Sequence, residues 1–164
     1  MGRINNYDYL VNFIINQRES FYRLAYSYVR NKEDALDIIQ ESICKALSKA
    51  KGLESQEAVK SWFYRIVVNT SLDFLRKNKR YVYVEDEVLE AVSPSAEDQY
   101  EDIDLRAAIE KLPTLNKTVI MLRYYEDMKI EDIARIMNEN VNTTKTRLYS
   151  SLKKLRITLD KADD

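Results

Sequence analysis

Two glycines and two prolines in 164 residues leave this chain few ways to turn sharply. Hairpins and tight turns draw on glycine for positive φ and on proline for a fixed one. Their scarcity predicts an all-α fold with short polar breaks between helices. Hydrophobic residues make up 45% and charged residues 32%, a balance that suits a soluble globular chain. The length allows one ordinary domain or two small ones. Histidine is absent, which removes the commonest general base and zinc ligand. With no glycine-rich phosphate loop either, an enzyme is disfavoured, and no metal or cofactor is expected. The single Cys44 rules out an internal disulfide and fits a reducing cytoplasm. Its place in an apolar helical pattern predicts a buried thiol. No apolar run is long enough to span a membrane and no secretion signal is present, so a cytoplasmic protein is expected.

The stretch 61–80, SWFYRIVVNTSLDFLRKNKR, organises the first half. Trp62, Ile66, Phe63, Val67 and Phe74 lie on or beside one face at helical spacing. Tyr64, Arg65, Asn69 and Thr70 are expected on the other, and the segment ends in Arg76, Lys77, Lys79 and Arg80. By itself this fits a core helix with a solvated basic end. It also fits a surface for a nucleic-acid strand, with cations on phosphates and amide or aromatic groups on exposed bases. Upstream, 7–29 reads as one helix with Leu10, Phe13, Ile14, Phe21, Leu24, Ala25 and Tyr28 as its apolar stripe. Residues 33–50 form another, whose buried edge is expected to be Leu36, Ile39, Ile43 and Leu47, with Asp34, Asp37, Gln40 and Glu41 outward. The loop KGLESQ (51–56) leads into the organising helix.

Residues 85–104 contain nine acids and no Lys or Arg, with Ser93-Pro94-Ser95 breaking any helical pattern. The composition predicts an acidic linker over 81–100 between domains at 1–80 and 101–164. Helices are then expected at 103–112, 115–125, 130–137 and 142–159. The last two, joined by the four-residue turn NENV, make a helix-turn-helix, with Ile133, Val141 and Leu148 as shared core. Between 142 and 157 the charged residues are Lys145, Arg147, Lys153, Lys154 and Arg156. A basic helix after a tight turn points to duplex DNA. Lys145 and Arg147 are candidates for guanine edges or phosphates, and Thr146, Tyr149, Ser150 and Lys153 share the outer face.

Together, DALDIIQESICKAL (34–47), WFYRIVVNTSLDFLR (62–76) and LP…LRYYEDMKIEDIARIM…NTTKTRLYSSLKKLR (112–156) resemble an extracytoplasmic-function (group 4) sigma factor of the bacterial sigma-70 family. The resemblance runs from about residue 7 to 158. It implies that 1–80 is a region 2-like domain and 101–164 a region 4-like helix-turn-helix, with core RNA polymerase and promoter DNA as partners. Asp34, Asp37, Gln40 and Glu41 match the surface that grips the β′ clamp helices, and the second domain would meet the β flap. Lys51, Gly52, Leu53, Glu54 and Ser55 with Asn69 match the pocket for a base flipped from the −10 element. Arg76, Lys77, Lys79 and Arg80 would hold the adjoining strand. Thr143, Thr144, Lys145, Thr146, Arg147, Tyr149, Ser150 and Lys153 match the −35 reader. Relatives are commonly held inactive by a membrane-bound anti-sigma factor in envelope-stress signalling.

Two departures stand out. Lys129 replaces a frequent capping Ser or Thr, and Ser150 replaces a frequent Arg or His. A conventional helix-turn-helix repressor is the competing binder, but it needs two half-site readers, and no dimerising coiled coil is evident.

Overall fold

The computed structural model describes residues 5–78 and 101–163, with side chains from 5 to 78 and from 105 to 157. These residues are helical with no β-strand among them, as the shortage of turn formers requires. They fall into two compact units: one holds α1 to α4, the other α5, α6, α8 and all but the end of α7. Lys79, Arg80 and the expected linker at 81–100 lie outside the described residues.

In the first unit the expected helix over 7–29 is two helices, α1 (Asn6–Asn16) and α2 (Arg18–Val29), broken at Gln17 (φ −110°, ψ 17°). The Asn5 side chain accepts from the Asp8 N–H at 2.7 Å, filling a donor that the first turn leaves unpaired. The break lets both helices bury an apolar edge: Leu10 and Ile14 from α1, and Phe21, Leu24, Ala25, Tyr28 and Val29 from α2. Phe21 is fully buried. Its ring lies 4.5 Å from that of Phe63 and 5.0 Å from that of Tyr64, both edge-on. Such pairs contribute about 0.5–1.5 kcal/mol beyond the area they bury.

Helix α3 (Lys32–Ser48) is capped by Asn31, which accepts from the Asp34 N–H at 3.0 Å. Its buried edge is Ala35, Ile38, Ser42 and Ala46, not the expected row of larger side chains. Ile39, Ile43 and Leu47 are half-buried and Leu36 is exposed. Small residues bring α3 close to its neighbours, and the Ser42 hydroxyl donates to its own helix at Ile38 O (2.7 Å), so no polar group is stranded. Because the edge is rotated, Cys44 is exposed rather than buried. Helix α4 (Val59–Lys77) packs against both α2 and α3.

In the second unit, α5 (Glu101–Glu110) ends before Pro113, and α6 (Thr114–Ile120) follows it. The expected helix to 125 instead widens into a π turn at Met121–Tyr125, where the Glu126 N–H bonds to Met121 O at 3.1 Å. Helix α7 spans Ile130–Met137, as the pattern predicts, and α8 spans Val141–Asp163. Leu148 and Leu155 are buried, and α8 packs on α5 and α6. Ile133 joins the core, while Val141 is half-buried.

The rotated edge of α3 is testable through Trp62, the one tryptophan, which lies in the first unit. Ile38→Ala should cost about 2–5 kcal/mol in urea unfolding followed by its fluorescence. Leu36→Ala, at 43% exposed, should cost under about 1 kcal/mol. The reverse order would restore the larger residues to the core.

Candidate functional site

Along the outer side of α3, Asp37, Gln40 and Glu41 are exposed. Asp34 is not: only 8% of it is exposed, and its backbone N–H is tied to the Asn31 cap. The expected outward row therefore starts one turn later. Leu36 at 43% exposed adds an apolar group to it, a combination of hydrophobic and acidic chemistry suited to a basic protein surface. Lys45 reaches from α3 towards both Glu41 (3.7 Å) and the Thr70 hydroxyl of α4 (3.3 Å).

The loop before α4 is built from two 3-10 turns, Ala50–Gly52 and Gln56–Ala58. Lys51, Gly52, Glu54 and Ser55 are exposed. Leu53 is the exception, 5% exposed, and it anchors the loop instead of presenting a side chain. Its carbonyl accepts from Asn6 Nδ2 of α1 at 3.0 Å, and Ser55 Oγ accepts from the Ala58 N–H at 3.3 Å. Gly52 has a negative φ and open space where a Cβ would stand, so the loop's own geometry does not demand glycine. A residue without a side chain leaves an approach open there.

On α4, Asn69 is exposed between buried Val68 and Thr70. Tyr64 and Thr70, expected outward, are each about 1% exposed: the buried surface of α4 is wider than one stripe because α2 and α3 both cover it. Arg76 and Lys77 are exposed at the helix end, and Arg76 lies 3.6 Å from Asp73.

The turn into α8 has a defined construction. Asn138 adopts a left-handed conformation (φ 55°), its N–H bonds to Arg135 O and the Glu139 N–H to Ala134 O at 3.0 Å. This double closure satisfies the last carbonyls of α7 and favours asparagine at the left-handed position. Asn140 then starts the next helix, its Oδ1 accepting from the Thr143 N–H at 2.8 Å. Glu139 locks the two together. Its carboxylate accepts from the Thr144 hydroxyl at 3.0 Å and from Arg147 Nε at 3.1 and 3.2 Å. Thr144, fully buried, thus faces inward, contrary to its expected outer position. Lys145, Thr146, Tyr149 and Lys153 are exposed with Thr143, and Ser150 and Arg147 are half-buried. Tyr149, 63% exposed, is a large aromatic with its ring in solvent.

Sequence reasoning did not find Glu139, whose partners lie five and eight positions away on the next helix. Nor did it find Asn116 of α6, which together with α8 lines a cleft. The exposed Tyr124 and Tyr125 were hidden by an assumed regular helix. No cluster of potential metal ligands occurs among the described residues.

The family profile for Sigma-70 region 2 matches residues 15–81, and that for Sigma-70, region 4 matches residues 102–155. The chain belongs to the sigma-70 family of RNA polymerase sigma factors, in its extracytoplasmic-function branch. It is 53% identical to RNA polymerase sigma factor SigV of Bacillus subtilis, over 94% of this chain and 93% of that protein. It is 29% identical to ECF RNA polymerase sigma factor SigW of the same organism, over 85% of this chain and 82% of that one. Among solved structures it is similar to the sigma factor RpoE in complex with the anti-sigma factor NepR from Bartonella quintana (TM-score 0.71, 23% identity, covering 91% of this chain and 95% of that one). It is also similar to CnrH in complex with the cytosolic domain of CnrY (TM-score 0.69, 17% identity, covering 93% and 88%). At these identities the two structures speak for the fold.

With side chains only 14% and 17% exposed, the Glu139–Arg147 pair is little screened by water. Glu139→Ala should cost about 1–3 kcal/mol, read as a lower Tm of the full chain by calorimetry. Glu139→Gln, which keeps an acceptor for Thr144, should lose less. An alanine variant that melts with the native protein would show that the turn does not depend on this residue.

Proposed function

We propose that this protein binds core RNA polymerase and directs promoter-specific initiation, recognising −10 and −35 elements and melting the promoter near the start site. The reading is carried by one observation: a single chain combines the exposed Asp37, Gln40 and Glu41 of α3, the exposed Asn69 of α4 and a basic outward face on α8. In this reading 1–80 is the clamp-binding and melting domain, 81–100 a linker and 101–164 the −35 reader. Its activity is binding rather than catalysis, and its place is the cytoplasm. Among the described residues no helix is long and apolar enough to cross a membrane.

Asp37, Gln40 and Glu41 would face the β′ clamp helices, with Leu36 as the apolar centre of the contact. Lys51, Gly52, Glu54 and Ser55 would surround a base drawn from the strand, with Asn69 offering both a donor and an acceptor to its edge. Arg76 and Lys77, with Lys79 and Arg80, would follow the phosphates. Leu53 and Thr144 would shape the two surfaces from beneath. Lys145, Thr146, Tyr149 and Lys153 would enter the major groove. Control by an anti-sigma factor is supported by the RpoE relative, solved with NepR, and envelope-stress signalling by the branch to which the chain belongs.

Two outcomes follow. Asp37→Ala with Gln40→Ala should weaken core binding while the Tm stays nearly unchanged, since exposed substitutions usually cost within about 0.5 kcal/mol; normal core affinity would remove α3 from the contact. Asn69→Ala should leave core and −35 binding intact but impair opening, because extracting a base costs a few kcal/mol that capture must offset. Permanganate reactivity of thymines near the start site should fall and be restored on a pre-melted bubble. Unchanged opening of the closed duplex would eliminate Asn69 from melting.

A further inference from the structure

Helix α8 presents two polar stripes rather than one. Lys145, Tyr149 and Lys153, four residues apart, share the outward stripe. Thr143, Thr146, Arg147, Ser150 and Lys154 recur at intervals of three and four along a second stripe, about a third of a turn away. This second stripe and Asn116 of α6 line a cleft of about 320 Å³. No carboxylate lines it; Glu139 accepts from Arg147 without being part of the wall.

Asn116 is the unusual member. It is 4% exposed, yet its amide has no hydrogen-bond partner among the described residues, while no fully enclosed side-chain nitrogen or oxygen there lacks one. Its remaining exposure is therefore to the cleft that it lines. Its amide is thus left to water, and is open to a ligand that enters the cleft. The wall offers an amide N–H, a guanidinium, an ammonium and the hydroxyls of Thr143 and Ser150, with the Thr146 hydroxyl already donating to Asn142 O at 3.0 Å. A donor-rich wall carrying two cations fits an oxygen acceptor with negative charge better than a base edge, which mixes donors with acceptors.

We propose that this cleft seats one backbone phosphate beside the −35 element, with Asn116 donating its amide N–H to a phosphate oxygen and Arg147 and Lys154 supplying charge. The proposal rests on the reading of α8 as the −35 helix. It assigns Arg147 to the backbone rather than to a guanine, and it adds a contact from α6, outside the helix-turn-helix. Phosphate contacts fix register and carry no sequence information, so Asn116 would act as a positioning residue.

The test uses holoenzyme reconstituted from core polymerase and the full chain, bound to a promoter fragment that it selects. Asn116→Ala should weaken binding about tenfold equally on matched and mutated −35 sequences, without changing the salt slope, because an amide releases no counterion. Lys154→Ala should lower that slope by about 1. Asn116→Asp, nearly isosteric, should bind more weakly than the alanine variant. On a series of duplexes each carrying one neutral methylphosphonate, the alanine penalty should vanish at one position and persist at the others. The side-chain amide signal of Asn116 should shift with the duplex and stay put when inorganic phosphate replaces chloride at constant ionic strength. Undiminished affinity, a penalty at every methylphosphonate position, or loss confined to one base pair would overturn the seat. Saturation by inorganic phosphate alone would overturn DNA as its ligand. If the wild-type holoenzyme showed no −35 preference, the reading of α8 itself would fail, a result distinct from these.

Discussion

Helix α4 is the constraint on which the first unit depends. Nine of its nineteen residues are buried, from Val59 to Leu75, because α2 and α3 cover it from two sides. Phe21, pressed edge-on against Phe63 and Tyr64, sets its distance from α2. The small residues Ala35, Ser42 and Ala46 let α3 pack closely. What remains outside is narrow, and Asn69 stands in it. A rigid helix that holds one amide in the open is a sound base for capturing a nucleotide, since little side-chain order must be gained on binding.

The same economy governs the loop before α4. Its exposed residues carry no packing role, whereas Leu53 is buried and its carbonyl is held by Asn6 of α1. A loop anchored at its middle, and capped at Ser55, can vary at Lys51, Gly52 and Glu54 without losing its shape. In the second unit the anchoring is electrostatic. Glu139 accepts from Thr144 and Arg147 of the following helix, so a turn of three residues fixes the start of α8 and hence the orientation of Lys145 and Tyr149. Arg147 contributes to this fastening and still lines the cleft with Asn116.

Helical content and the helix-turn-helix were legible from the chain, because scarce turn formers and long three-four periodicities leave few alternatives. Helix α7 falls within its expected bounds. The departures on α3 and α4 have a packing cause. Periodicity ranks residues by hydrophobicity, but close packing selected small ones on α3, so Leu36 and Cys44 turn outward and Asp34 inward. Likewise the buried arc of α4 takes in Tyr64 and Thr70, which a single-stripe reading leaves outside. The π turn at Met121–Tyr125 has no periodic signature. Glu139 and Asn116 were illegible because their significance lies in what folds beside them, and local spacing does not reveal that.

The central claim is that this chain confers promoter choice on core polymerase. Sequencing the 5′ ends of transcripts made from genomic fragments by core enzyme, with and without the protein, tests it most directly. New start sites preceded by a common pair of −35 and −10 sequences are predicted, visible only when protein and core are both present. The same start sites from core alone, or sequence-selective DNA binding by the protein that leaves initiation unchanged, would contradict it.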